Sequence, residues 1–209
     1  WYPMNDTGVR TPQTVIFDAA GTNNTTKNHA TTTFLGDELN TEANALTPTG
    51  SSASEANDIS TWSNNDQGGG ASSESVVADK GATGSYAMNI QVAGAGRGVY
   101  IDLEGSPYSL TTGRSYRITW DWRYKTAHTN VFLATFSSAT DGTTNATTAA
   151  TLTGDGSDQD FEGESYDFVK SANFRYFHIK HSSGTQFASD VRVDNLSIKE
   201  IGIASGWTD

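Results

Sequence analysis

Residues 114–125 read Arg-Ser-Tyr-Arg-Ile-Thr-Trp-Asp-Trp-Arg-Tyr-Lys, the longest stretch of the chain in which large apolar and polar side chains alternate strictly. The residues on one face are Tyr116, Ile118, Trp120, Trp122 and Tyr124. Those on the other face are Arg117, Thr119, Asp121, Arg123 and Lys125. A β-strand repeats every two residues, whereas a helix would spread these rings around its circumference. The stretch therefore predicts a half-buried strand whose rings rest on a core.

Further stretches between turn signals have the composition of short strands. They are residues 61–63, 85–92, 98–103, 131–136, 149–152, 163–169, 173–181 and 190–201. No window of the chain carries the apolar stripe of an amphipathic helix. Roughly eight to ten short strands and almost no helix predict an all-β fold, namely an antiparallel β-sandwich.

The last of these stretches changes phase in its middle. Val191 and Val193 are odd-numbered, whereas the next apolar residues, Leu196 and Ile198, are even-numbered. A slip of one residue within a strand is what a β-bulge produces. We therefore predict a β-bulge at residues 194–195.

Composition excludes several classes of function. The 209 residues carry 24 acidic and 13 basic side chains and a net charge of -11, which argues against a nucleic-acid partner. The absence of Cys excludes disulfides and thiol catalysis, and no apolar run is long enough to span a membrane. We expect glycans, cations or other proteins as partners. Because the chain opens on Trp1 without a signal peptide, we also expect it to be part of a longer protein.

Four phrases of the sequence resemble a known family of modules. They lie at residues 84–90, 110–121, 174–179 and 193–201. They are similar to strands of jelly-roll carbohydrate-binding modules of the xylan- and cellulose-binding type. The resemblance covers about residues 36–201 and implies a galactose-binding-like jelly roll that binds a glycan or cell-surface polysaccharide.

The end of the chain carries a second resemblance. Residues 195–202, Asn-Leu-Ser-Ile-Lys-Glu-Ile-Gly, followed by the phrase at 204–209, are similar to modules of structural proteins of marine bacteriophages. This implies a virion surface or extracellular location, with other virion or surface protein subunits as partners. Two hypotheses follow: a module that attaches by binding glycans, and a purely structural module that decorates or spaces a capsid or fibre through protein contacts.

Residues 1–35 differ from the rest and are too few in strands to fold alone. Their opening Trp, the phrase Asn-Asp-Thr-Gly and the phrase at 17–24 resemble the first strands of laminin-G-like lectin domains. We predict that residues 1–35 form an extended N-terminal arm or the remnant of a neighbouring lectin-like domain. Residues 36–202 would then form the sandwich and residues 203–209 a C-terminal linker.

Side chains on the outward face of the strands are the candidates for glycan binding. Aromatic rings flanked by charged groups can hold a sugar, because C–H faces stack on rings and hydroxyls bond fixed polar groups. The candidate residues are Tyr100, Asp121, Arg123, Tyr176 and His178. The alternative is that outward charges pair across neighbouring strands and only keep the sheet soluble.

Catalysis is not expected from this sequence. It lacks the Gly-x-Ser-x-Gly, His-Glu-x-x-His and phosphate-loop motifs, and any pair among 24 acids would be an arbitrary choice. His178 and His181, three apart on a strand, would lie on opposite faces and make a poor metal pair. We predict that the chain is not an enzyme.

A structural Ca²⁺ is implied by the resemblance to carbohydrate-binding modules. The family holds the ion between the start of the module and an Asp of its last strand, which here corresponds to Asp194. Glu42 and Asn44 stand where the family has its opening acidic phrase and are the side-chain partners that this implies. The alternative is that Asp194 only hydrogen-bonds backbone freed by the bulge.

Overall fold

The protein is described here from a computed structural model, in which the chain is all-β. The described residues are 15–16, 25–26, 35–40, 61–65, 72–77, 86–92, 96–125, 130–182 and 189–202. Within these ranges the only helical element is one 3₁₀ turn at Ala172–Phe174. None of these residues forms a helix that could cross a membrane.

The chain divides into two units, Trp1–Phe34 and Leu35–Asp209. In the first unit β1 (Val15–Ile16) pairs with β2 (Thr25–Thr26) in antiparallel fashion. The rest of the predicted arm at residues 1–35, apart from Leu35, lies outside the described residues. The predicted linker at 203–209 also lies outside them, so these domain assignments stay predictions.

The second unit contains two antiparallel sheets. Its described strands are β3 (Leu35–Glu38), β4 (Ser63–Asn65), β5 (Ser72–Val77), β6 (Ala87–Val92), β7 (Gly98–Asp102), β8 (Ser115–Tyr124), β9 (Val131–Ser137), β10 (Thr147–Thr153), β11 (Glu162–Val169), β12 (Tyr176–His181) and β13 (Ser189–Ile201). One sheet has the order β10-β9-β12-β7-β4, and the other has the order β11-β8-β13-β6-β5, with β3 pairing with one end of β13. We call them the five-stranded and the six-stranded sheet. This architecture confirms the predicted antiparallel β-sandwich.

The core lies between the inner faces of these two sheets, as the alternation in β8 predicted. The five aromatic and aliphatic residues at even positions of β8 are at most 2% exposed. Trp120 of the six-stranded sheet contacts Phe177 of the five-stranded sheet, with ring centroids 5.2 Å apart. Phe132 and Val193, also predicted to be inside, are fully buried. Each ring of this size buries a large apolar area, which stabilises the sandwich together with the aliphatic residues of the core.

The predicted bulge lies where the phase slip placed it. Along β13, Asp194 pairs with Asp121 and Ser197 with Thr119, so three steps on β13 match two on β8. Asn195 absorbs the extra residue in a left-handed backbone conformation with a φ of 54°. Asn tolerates this region better than most residues do. The bulge returns Leu196 and Ile198 to the core.

Several strand predictions need correction. The strand predicted at residues 61–63 is β4 at Ser63–Asn65. No strand was predicted at β5, because an edge strand of Ser and Glu with Val only at its end buries little apolar area. The strand predicted at residues 149–152 is the seven-residue β10. The strand predicted from residue 173 begins at Tyr176, because the 3₁₀ turn occupies the preceding residues.

Candidate functional site

The five candidate glycan-binding residues lie on two different surfaces. Tyr100 on β7 and Tyr176 and His178 on β12 belong to the outer face of the five-stranded sheet. Asp121 and Arg123 on β8 belong to the outer face of the six-stranded sheet. Because the inner faces of the sheets pack together, the outer faces point in opposite directions. The structure therefore does not bring the five residues into one site.

Two tyrosines and a histidine meet on the five-stranded sheet. Tyr100 is directly opposite His178 in the register of β7 and β12, and Asp102 is opposite Tyr176. The Tyr100 ring lies 5.4 Å from the Tyr176 ring in an edge-to-face arrangement and 5.3 Å from the His178 ring. Tyr176 is 9% exposed, whereas Tyr100 is half-buried and reaches solvent. We call this surface, defined by Tyr100 and Tyr176, the tyrosine face.

A charged pair flanks the tyrosine face. Arg175 Nη2 donates a hydrogen bond of 3.1 Å to Asp102 Oδ2, and its guanidinium lies 4.9 Å from the centroid of the Tyr176 ring. The hydrogen bond from Arg175 to Asp102 raises the pKa of the guanidinium. Burial raises the pKa of Tyr176, so its hydroxyl stays protonated as a donor. A ring beside fixed donors and acceptors is the arrangement that sugar binding needs.

Arg175 was not among the predicted site residues. It precedes β12 by one residue, at the end of the 3₁₀ turn, where strand alternation gives no direction for a side chain. Its place directly before Tyr176 in the sequence was the available signal. A cation adjacent to an aromatic residue can stack on that ring when the backbone turns there.

His178 is buried beneath a loop and cannot contact a ligand in this conformation. Residues 138–145, which we call the covering loop, lie over it, and the His178 side chain is 0% exposed. Lys180 Nζ donates to Gly142 O, and Asn65 Nδ2 donates to Asp141 O at 3.1 Å. These bonds attach the covering loop to the outer face of the sheet. The prediction of His178 as a binding residue is therefore corrected to a structural role.

The buried imidazole is neutral. The Ser137 hydroxyl donates to Ala139 O at 2.5 Å, so its oxygen accepts from His178 Nε2 at 2.8 Å. The other nitrogen, Nδ1, has no hydrogen-bond partner among the described residues. Burial, with a smaller contribution from the charge of Lys180, lowers the pKa of His178 to about 4. Protonation would thus place a second cation beneath the covering loop.

Asp141 closes the covering loop into a turn. Its carboxylate accepts hydrogen bonds from the Thr143 and Thr144 backbone N–H groups at 2.8 and 2.9 Å and from the Thr144 hydroxyl at 2.7 Å. Burial opposes ionisation of Asp141, but these hydrogen bonds outweigh it and lower the pKa of the carboxyl. Gly142 follows with a φ of 65° and packs against His178. The loop is a closed turn that covers one end of the face.

Arg123 has a structural partner on the six-stranded sheet. It was predicted to point to solvent but is 6% exposed. Its Nη1 donates to Asp158 Oδ1 at 2.6 Å, and the guanidinium lies 5.1 Å from the centroid of the Phe161 ring. Lys125 donates to the same carboxylate at 2.9 Å. Arg123 therefore fits the alternative of charges paired on a sheet surface, and it is buried because the segment before β11 covers it.

Asp121 lies in an open depression of the six-stranded sheet, which we call the aspartate depression. The cavity has a volume of about 460 Å³. Its lining consists of Thr119, Trp120, Asp121, Gly163, Glu164, Ser165, Asn195 and Ser197. It lies at the bulge of β13 and contains no residue of the tyrosine face.

The predicted calcium ligands are only partly within the described residues. Asp194 is 1% exposed, and its Oδ1 accepts from the Asn195 N–H at 2.8 Å, the bond expected if it only satisfies the bulge. Glu42 and Asn44 lie outside the described residues. Asn40 lies within them: its Nδ2 donates to Leu196 O at 2.8 Å, and its buried Oδ1 accepts no hydrogen bond from any other described residue. Among the residues that can be described, no three His, Asp or Glu side chains gather into a metal site.

Two solved structures of carbohydrate-binding modules have a similar fold. The CBM22-1 xylan-binding domain from Paenibacillus barcinonensis Xyn10C matches with a TM-score of 0.56 and 12% identity, over 81% of this chain and 97% of that one. The C-terminal family 22 carbohydrate binding module of Clostridium thermocellum Xyn10B matches with a TM-score of 0.52 and 12% identity, over 83% and 99%. The fold is that of a jelly-roll carbohydrate-binding module.

A third match extends the comparison to a larger protein. The CBM22-1–GH10 modules of Clostridium thermocellum Xyn10B, complexed with xylohexaose, match with a TM-score of 0.50 and 16% identity, over 72% of this chain and 28% of that one. At 12–16% identity the likeness to these jelly rolls concerns the fold. No protein-family model and no curated protein sequence matches the chain.

Proposed function

We propose that this chain is a non-catalytic module that binds glycans through the tyrosine face. The carrying observation is the half-buried Tyr100 ring beside the Asp102–Arg175 pair on the outer face of a jelly-roll sheet. The ring offers an apolar surface for sugar C–H groups, and the pair offers both an acceptor and a donor for hydroxyls. The similarity in fold to a xylan-binding domain and to another carbohydrate-binding module supports the same function.

We propose a β-linked polysaccharide of the xylan class as the first ligand to test. One of the structural neighbours named above is described as a xylan-binding domain, and another was crystallised with xylohexaose. Neutral polysaccharide also suits a chain with a net charge of -11, because it carries no anions for the surface to repel. The tyrosine face binds its hydroxyls without a need for a basic surface.

Isothermal titration calorimetry with xylohexaose, backed by a printed glycan array, tests this function. Tyr100→Ala should weaken binding about tenfold or more, because the ring supplies the stacking surface. Tyr86→Ala is the control, since that half-buried tyrosine precedes β6 of the other sheet. Binding that Tyr100→Ala leaves unchanged would contradict the site. A wild-type chain that binds no sugar on the array would favour the purely structural module.

We further propose that the module acts on a virion or in another extracellular setting, together with other surface subunits. The support is the resemblance of the phrase at residues 195–209 to bacteriophage structural proteins. Mass spectrometry of purified particles or of the secreted fraction would detect the chain there. Its recovery only inside cells would contradict this location.

We also propose that a calcium ion binds beside Asp194, at the β-bulge of β13. Asp194 is the buried carboxylate of that region, and the buried Asn40 Oδ1 is an oxygen for which the described residues supply no donor. Carboxylate and amide oxygens are hard ligands of the kind that Ca²⁺ prefers. The ion, when bound, would neutralise the Asp194 charge and fix the bulge to the segment around Asn40.

Thermal unfolding tests the calcium proposal. An ion that binds only the folded protein raises its melting temperature. We expect EDTA to lower the melting temperature, calcium chloride to restore it, and Asp194→Asn to remove the response. Asp158→Asn, a change of the same kind in the segment between β10 and β11, should leave the response intact. A melting temperature indifferent to both EDTA and calcium would exclude an exchangeable ion.

A further inference from the structure

A glycine near the start of an edge strand lies at the aspartate depression. Gly163 is the second residue of β11 and pairs with Asp121 of β8. Glycine weakens a strand, and in that position it commonly marks a close approach of another group. Here a Cβ added to Gly163 would lie 2.8 Å from Asp121 Oδ1, closer than van der Waals contact allows. The missing side chain therefore makes the room in which the Asp121 carboxylate lies.

The carboxylate is held in that room by the bulge. Asn195 Nδ2 donates a hydrogen bond to Asp121 Oδ2, which leaves Oδ1 as the oxygen above Gly163. Asn195 reaches Asp121 because the bulge gives it a φ of 54° and turns its side chain out of the regular pleat. Asp121 and Asn195 thus form a fixed pair of a carboxylate and an amide. A pair that is already oriented loses little side-chain entropy when it binds a ligand.

Among the described residues, the rest of the lining carries no basic group: it consists of the buried Trp120, Gly163, Glu164 and three residues with hydroxyl-bearing side chains. Those three are Thr119, Ser165 and Ser197, which surround the pair. The Ser197 hydroxyl is oriented by a hydrogen bond to Glu38. A cavity with a carboxylate and without Lys or Arg would repel an anion, and one without an exposed ring gives little to an apolar ligand. What fits is a neutral ligand with several adjacent hydroxyls.

We propose that the aspartate depression is a second saccharide site, which takes two vicinal hydroxyls of a sugar. Asp121 Oδ1 accepts from one hydroxyl, and the Asn195 amide and the neighbouring hydroxyl side chains bond the other. Charge-assisted hydrogen bonds from sugar hydroxyls to a carboxylate are the strongest that such a ligand can make. The site shares no residue with the tyrosine face and does not depend on it. Since the two lie on opposite outer faces, one module can join two glycan chains.

Protein-detected NMR tests this site directly. The probes are methyl β-D-xylopyranoside, methyl α-D-mannopyranoside, methyl β-D-glucopyranoside and methyl β-D-galactopyranoside, titrated into the ¹⁵N-labelled chain. At least one should shift the backbone amides of Gly163, Asn195 and Ser197. Gly163→Ala should abolish these shifts, because its Cβ displaces Asp121 Oδ1. Asp121→Asn should raise the dissociation constant of the bound glycoside at least about tenfold.

Controls separate this proposal from the tyrosine face and from folding defects. Tyr100→Ala should leave the shifts at Gly163 unchanged, and so should Thr151→Ala on β10. If Gly163→Ala does not fold, the nearly isosteric Asp121→Asn carries the test alone. Shifts confined to Tyr100 and its neighbours would overturn the second site and leave the first, and shifts confined to Gly163 would do the reverse. Shifts caused by calcium chloride and by no glycoside would also overturn it.

Discussion

The two outer faces of this sandwich are covered by different kinds of side chain. The outer face of the five-stranded sheet carries rings, with Tyr100 in contact with both Tyr176 and His178. The outer face of the six-stranded sheet carries ion pairs and, at the bulge, the depression around the Asp121 carboxylate. Alternation along a strand decides which side chains point outward. The order of the strands decides which of them meet.

The face with the rings is itself divided. The covering loop closes the end that contains His178 and Lys180, whereas Tyr100 and the Asp102–Arg175 pair remain accessible. A ligand therefore meets one open ring and one charged pair. On the other face, Arg123 is buried by its own partners, and Asp121 stays accessible because Gly163 has no side chain.

The largest expected effect comes from the core that both faces share. Trp120→Ala removes the ring that contacts Phe177 across the two sheets. We expect the free energy of unfolding to fall by about 3–5 kcal/mol, since a buried ring lost without refilling costs that much. Urea denaturation measures it. A loss below about 1 kcal/mol would contradict the packing of the sheets through this residue.

Acidification should lower the free energy of unfolding by a smaller amount, and the group responsible is His178 of the five-stranded sheet. The pKa of His178 in the folded protein, about 4, lies below its ordinary value of 6.5, so the unfolded chain binds more protons between these values. The contribution of neutral His178 is complete above pH 6.5 and is lost as the pH falls toward 4. From about pH 7 to about pH 5 we expect a loss of about 2 kcal/mol.

His178→Gln is the variant that assigns this pH dependence. It should flatten most of the slope in urea denaturation, because glutamine does not titrate. A small slope should remain, since burial also lowers the pKa of His181. Asp141, whose pKa is lowered by its hydrogen bonds to Thr144 and Thr143, stays ionised over this range. An unchanged slope would show that His178 is not the titrating group.

Two ion pairs of the six-stranded face should differ although both are short. Asp158→Ala removes a carboxylate from the buried Arg123, and we expect a cost of about 1–2 kcal/mol. Asp167→Ala breaks the pair with Arg117, whose side chains are 30% and 48% exposed, and should cost about 1 kcal/mol or less. Urea denaturation of both variants compares them. Equal costs would contradict the burial of Arg123.

The smallest expected effect concerns the hydroxyl of Tyr100. Tyr100→Phe keeps the aromatic ring and removes only its hydroxyl. Stability should change by about 0.5 kcal/mol or less, and the affinity for xylohexaose by a few-fold at most. Calorimetry and urea denaturation check both. A loss as large as that of Tyr100→Ala would mean that the hydroxyl, and not stacking, holds the sugar.

The sequence predicted what depends on local alternation. The rings of β8, the outward direction of Tyr100 and Tyr176, and the bulge at Asp194 and Asn195 all follow from a period of two and its interruption. It could not predict which strands are neighbours, because β8 pairs with β11 and β13, which come much later in the chain. That is why Asp121 was grouped with Tyr176, from which two sheets separate it.

The sequence also could not predict the contacts that loops make with the sheets. The Ser/Thr/Gly composition of residues 137–146 predicts a loop but not that Gly142 docks on His178. Arg175 was not predicted as a site residue because a 3₁₀ turn, and not a strand, sets the direction of its side chain. The role of Gly163 in making room for Asp121 becomes visible only in the structure, where a Cβ added to Gly163 would lie too close to Asp121 Oδ1. These features depend on distances between residues far apart in sequence.

A crystal structure of the chain with its best ligand from the glycan array would show whether the tyrosine face binds a sugar by stacking on Tyr100. We expect a sugar ring on the Tyr100 ring, at a van der Waals separation of about 4 Å, with hydroxyls bonded to Asp102 or Arg175. A sugar bound elsewhere, with the Tyr100 ring open to solvent, would contradict it.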